Sequence, residues 1–110
     1  MIRTRLGLQN ILEEILGSRE VYFQAPESIR MSYPSIVYSL NEIEQKYADD
    51  KPYKRDYNYT ITLMHEDPDN DIVDKLLDRF DHIKLTRTFA VQGLNNYVFS
   101  LYYKNEKEIN

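Results

Sequence analysis

The sequence predicts an α+β domain: a mainly antiparallel sheet with two helices packed on one face, in the order α-β-β-β-α-β-β. Three observations lead there. Leu8, Ile11, Leu12, Ile15 and Leu16 recur at helical spacing. Tyr57, Tyr59, Ile61 and Leu63 alternate with Asn58, Thr60, Thr62 and Met64, the period of a half-buried strand. The stretch 83–103 holds two apolar runs around Gln92-Gly93, which reads as a hairpin.

In chain order, the first helix spans about Ile2 to Leu16 and stops at Gly17, whose freedom at positive φ suits a helix end. Val21-Tyr22-Phe23 is a short strand closing at Ala25-Pro26. Pro34 opens a second strand, in which Ile36, Tyr38 and Leu40 alternate with Ser35, Val37 and Ser39 before the pattern decays through Asn41 to Lys46. From Glu44 to Asp56 charge dominates, with Pro52 inside, and the reading is a long exposed loop. After the strand Tyr57 to Met64, Asp67 is the expected N-cap, with Pro68 at the first helical position and Asp69 and Asp71 in the first turn. Ile72, Val73, Leu76, Leu77 and Phe80 form the stripe of this second helix. Ile83 to Val91 and Asn96 to Tyr103 are the hairpin strands, with Gln92 to Asn95 between them. A polar tail follows from about residue 104. No repeat or linker divides the 110 residues, so residues 1–110 read as one domain.

Composition excludes several functions. The net charge of −4 is the wrong sign for a nucleic-acid clamp, which needs a basic face. Without cysteine there is no disulfide, thiolate metal site or thiol nucleophile. No window reaches the roughly 18 apolar residues of a membrane span, and the N-terminus lacks the apolar core of a signal peptide. The expectation is a protein that begins in a cytoplasm. Ten tyrosines and no tryptophan suit half-buried strands and protein contacts.

Candidate chemistry is thin. His65-Glu66-Asp67 groups a histidine with carboxylates, but neighbours on a strand point to opposite faces. Asp67-x-Asp69-x-Asp71 begins like a calcium loop, yet Ile72 stands where that loop needs Gly. Glu44-Gln45-Lys46 resembles half of a metal-dependent nuclease core but lacks an upstream Asp. Neither a Gly-x-Ser-x-Gly elbow nor a Gly-rich phosphate loop occurs. Lys51, Lys54 and Arg55, with Tyr53 and Tyr57 interleaved, could touch nucleic acid, but Asp49, Asp50 and Asp56 cancel most of their charge. All nine aspartates fall between Asp49 and Asp81, a solvated face or one that steers a basic partner. The expectation is no enzyme, no catalytic residue, no cofactor and no metal. A protein-binding regulatory module is the alternative, and a metal-dependent nuclease the third reading.

The order of these segments resembles the tail terminator, or tail-to-head joining, proteins of long-tailed bacteriophages and prophages. The likeness is carried by Leu8-Gln9-Asn10-Ile11-Leu12 on the first helix, Tyr33-Pro34-Ser35-Ile36-Val37-Tyr38, and Tyr57-x-Tyr59-Thr60-Ile61-Thr62-Leu63. The acidic start of the second helix and the closing hairpin complete it over residues 2–104. The resemblance implies a virion assembly protein of the tail or neck, made in the host cytoplasm. It implies a ring, usually of six subunits, that caps the tail tube and docks to the head connector. Its partners would be itself, the tube protein and the connector, with no membrane and no sequence-specific nucleic acid. The charged segment is the expected partner-facing element. Lys51, Tyr53, Lys54, Arg55, Tyr57, Tyr97 and Tyr103 are the expected interface residues.

Overall fold

A computed structural model describes residues 5–26, 30–48 and 51–103, and in 46–48 and 51–54 the backbone only. The elements are α1 (Arg5–Leu16), β1 (Val21–Phe23), β2 (Ser35–Ala48), β3 (Lys51–His65), α2 (Ile72–Arg79), β4 (Ile83–Val91) and β5 (Leu94–Tyr103). The class is α+β, in the order expected. The five strands form one sheet, β1-β2-β3-β5-β4; β1 runs parallel to β2 and the other pairings are antiparallel.

Side-chain alternation assigns the two faces of the sheet. Ile36 and Tyr38, then Tyr59, Ile61 and Leu63, then Phe99, Leu101 and Tyr103 point to the helical side, where they form one core with Leu8, Leu12 and Leu16 of α1 and Ile72 and Leu76 of α2. Each helix buries one stripe and leaves its other face to solvent, as the i, i+4 spacing of its apolar residues requires.

Where α1 ends, Gly17 at φ +81° donates its N–H to the Glu13 carbonyl at 2.9 Å. A Cβ there would meet nothing within 4 Å, so only the backbone resists a side chain. Gly17→Ala should therefore cost about 1 kcal/mol, read as a lower urea midpoint with unchanged slope; no loss would mean the helix terminates in another way.

Polar contacts seat α1 against β1 and β2. The Tyr38 hydroxyl donates to Gln9 Oε1 at 2.6 Å, and Gln9 Nε2 donates to the Val21 carbonyl at 2.9 Å and to Glu13 at 2.8 Å. The Arg5 guanidinium donates to the Tyr38 hydroxyl at 3.4 Å and lies over the Phe23 ring, 4.5 Å from its centroid. Burial raises the Tyr38 pKa above its ordinary 10.0, while Arg5 opposes that rise. A raised phenol pKa means the folded state favours the neutral form. This contribution to stability is whole below pH 10 and is lost as pH rises through the higher folded value. Tyr38→Phe should cost about 1 kcal/mol at neutral pH and make the alkaline loss of stability less steep. Parallel alkaline melting curves for the two chains would refute this account.

Three expectations need correction. Residues 44–56 are not a loop: β2 and β3 run on as a paired ribbon on either side of residues 49–50, which lie outside the described residues. The second helix also begins later than its cap signature suggested. Asp67 does not cap it; its Oδ1 accepts the Asp69 N–H at 2.9 Å in a turn before the helix. The first helical N–H groups are taken by Asn70, whose Oδ1 accepts from Ile72 at 3.1 Å and Val73 at 3.4 Å. Pro68 fits that turn as well as it would fit a first helical position. The closing hairpin is tighter than expected, with Gln92 and Gly93 alone at the turn, both at positive φ, and Val91 opposite Leu94.

Candidate functional site

The feature that departs most from a compact two-layer domain is the far end of the β2–β3 hairpin. β1 reaches only Ile36 to Tyr38 of β2, and β5 pairs with β3 only from Tyr57 onward. Among the described residues, the two strands beyond Ile43 and Tyr57 pair only with each other. Six residues of ribbon extend about 20 Å, and the molecule measures 52 × 29 × 24 Å.

Charge is banded along this arm. The register sets Glu44 opposite Asp56 and Lys46 opposite Lys54, with Gln45 opposite Arg55 between them. Like charges directly across an antiparallel pair destabilise it, and an isolated two-stranded ribbon is marginal in water. Ile43, at the root of the arm, keeps 47% of its surface exposed. Arg55 is exposed and Tyr57 half-buried. The side chains of Lys51, Tyr53 and Lys54 lie outside the described residues, although their backbone belongs to the arm.

The remaining interface candidates sit elsewhere. Tyr103 is a core residue, 8% exposed, edge-on to Phe80 at 6.3 Å between centroids, so its apolar area is already used inside the subunit. Tyr97 is half-buried, and its hydroxyl accepts from Asn70 Nδ2 at 3.4 Å. Both belong to the helix-facing side of β5, which is why alternation that marks a strand cannot also mark a docking face.

The chemical candidates are placed apart. His65 ends β3, and its Nδ1 accepts the Asp67 N–H at 3.0 Å. Asp67 serves its own turn, while Asp71 pairs with Lys75 at 3.2 Å on the surface of α2. Glu44 lies exposed on the arm. Among the described residues no three His, Cys, Asp or Glu side chains gather as metal ligands would. A hollow of about 470 Å³ between α1 and α2, lined by Glu14, Ile15, Lys75, Asp78 and Arg79, is shallow and carries both signs of charge. No helix among the described residues is long and apolar enough to cross a membrane.

The described residues thus define a two-layer α+β fold whose distinguishing feature is a projecting, charge-banded hairpin. No protein-family model matches the chain, and no curated protein matches it.

Proposed function

We propose that this protein is a ring-forming tail terminator or head–tail joining subunit of a long-tailed bacteriophage or prophage, capping the tail tube and docking to the head connector. One observation carries most of the weight: an arm about 20 Å long whose rungs set Glu44 against Asp56 and Lys46 against Lys54. Such an arm projects past the strands that flank its base and offers a surface to a neighbour. A ring is built from heterologous contacts, one patch of each subunit meeting a different patch of the next. An arm at one end of a subunit suits that geometry. The order of segments resembling tail terminators supports the same reading.

The test is the mass of the purified full chain by light scattering over a range of concentrations, with electron micrographs of the same samples. Rings of about six subunits, and retention of the chain on assembled tail tubes, are expected. A chain that stays monomeric throughout and ignores tubes would end this reading.

A further inference from the structure

The face of the sheet opposite the helices is covered by no element among the described residues, yet it is nearly free of charge. Between residues 35–41, 58–64 and 96–102 the outward positions, four on each of β2, β3 and β5, are all Ser, Thr, Asn, Val, Met or Tyr, with Ser35, Asn58 and Asn96 buried; the first charge on these strands, Glu42, stands at the rim opposite Asn58. In a chain with 29% charged residues, about three or four charges would be expected in such a set. A surface without charge at its centre is the compositional mark of an interface core. The face is also internally tied: Asn41 donates to Asn58 at 2.9 Å, and Asn58 donates to Ser100 Oγ at 2.9 Å. Its amides and hydroxyls therefore satisfy one another in a row across three strands, which lowers the cost of removing water from them. Tyr102 and Phe89, 40% and 37% exposed, stand on the same side.

The flanks of this face carry opposite charges. On β1 the Tyr22 hydroxyl, facing outward opposite Val37, donates to the Glu20 carboxylate. On β4, Lys84 lies opposite Ser100 and Arg87 opposite Val98, both exposed, with the Arg87 guanidinium over the Phe89 ring at 4.6 Å. A twofold axis parallel to the strands, midway between two such sheets, places β1 of one copy over β4 of the other. Glu20 of each copy then lies on the side of Lys84 and Arg87 of its partner, twice, around an uncharged centre.

We infer that this face binds a second copy of the chain, sheet against sheet, in an isologous dimer. The footprint is about 19 by 23 Å per copy, so the pair buries on the order of 1,000 Å², the lower bound for a specific interface. Association should be weak, with a dissociation constant on the order of 10–100 μM. This contact does not use the arm and stands independently of the ring reading.

Thr62, opposite Val98 at the centre of the face, is the position to change. An arginine there places a charge in the middle of the contact and still reaches solvent in the free subunit. Thr62→Arg should halve the sedimentation mass of the full chain at about 200 μM and weaken dimerisation at least about tenfold, with an unchanged circular dichroism spectrum. Val98→Glu serves the same purpose should Thr62→Arg fail to fold. Arg87→Glu should weaken the dimer, and adding Glu20→Arg should restore it. A wild-type chain that is monomeric at all concentrations would overturn the inference. So would a mass that neither Thr62→Arg nor Val98→Glu changes, or a charge swap that restores nothing. Variants of the arm leave this face intact, so the two contacts fail separately.

Discussion

A chain in which residues 44–55 are replaced by a two-residue Asn-Gly turn should fold normally and no longer assemble into rings. Among the described side chains, no residue between 41 and 56 belongs to the buried apolar core or packs against it from the side. The truncation therefore removes little hydrophobic stabilisation, and the thermal midpoint should move by only a few degrees, equivalent to less than about 1 kcal/mol. Lys54→Glu makes the sharper version of this test. It places an acidic residue at the register position facing Lys46. The isolated subunit should gain about 0.2–1 kcal/mol, while ring assembly should weaken at least about tenfold, because the band the partner reads has lost its sign. Stability and association moving in opposite directions is the signature to look for. If Lys54→Glu assembles as well as the parent chain, the arm is not the contact.

Phe99→Ala should have the largest effect on folding. Phe99 lies on β5 between β3 and β4, fully buried, with Ile61 and Leu85 as its cross-strand partners. Truncating a ring at such a site removes its transfer energy and leaves a cavity that the rigid sheet cannot close, a cost of about 3–5 kcal/mol. A domain of this size has a total stability of about 5–15 kcal/mol. The midpoint should fall by more than about 12 °C, and much of the chain should be unfolded at 37 °C if the parent lies at the low end. Thermal melts followed by circular dichroism decide it, and a fall of only a few degrees would mean that α1 and α2 collapse onto the gap.

The core was legible in the sequence because it obeys two periods. Leu8, Leu12 and Leu16 are spaced for a helix, and Tyr59, Ile61 and Leu63 for a strand, and all six are buried. The arm was not legible, for a physical reason. Alternation reports burial of one face, and among the described residues no third strand and no helix lies along this two-stranded ribbon to bury an apolar face. Its residues therefore follow charge rather than hydrophobicity. The start of α2 was misplaced because Asp67-Pro68 carries the chemistry of a cap, whereas Asn70, which holds the Ile72 and Val73 N–H groups, looks unremarkable in a row of acids. Of the interface residues expected, Arg55 lies exposed on the arm, and the backbone of Lys51, Tyr53 and Lys54 belongs to it. Tyr103 was chosen for its aromatic character, which serves the core equally well.

Both strands of the arm are interior strands of the sheet: β2 lies between β1 and β3, and β3 between β2 and β5. Tension applied at the tip along the strand direction is thus delivered to the middle of the domain. The hydrogen bonds joining β3 to β5 are loaded together in shear, rather than peeled one by one from an edge. A handle rooted in this way transmits a pull without unravelling the body that holds it.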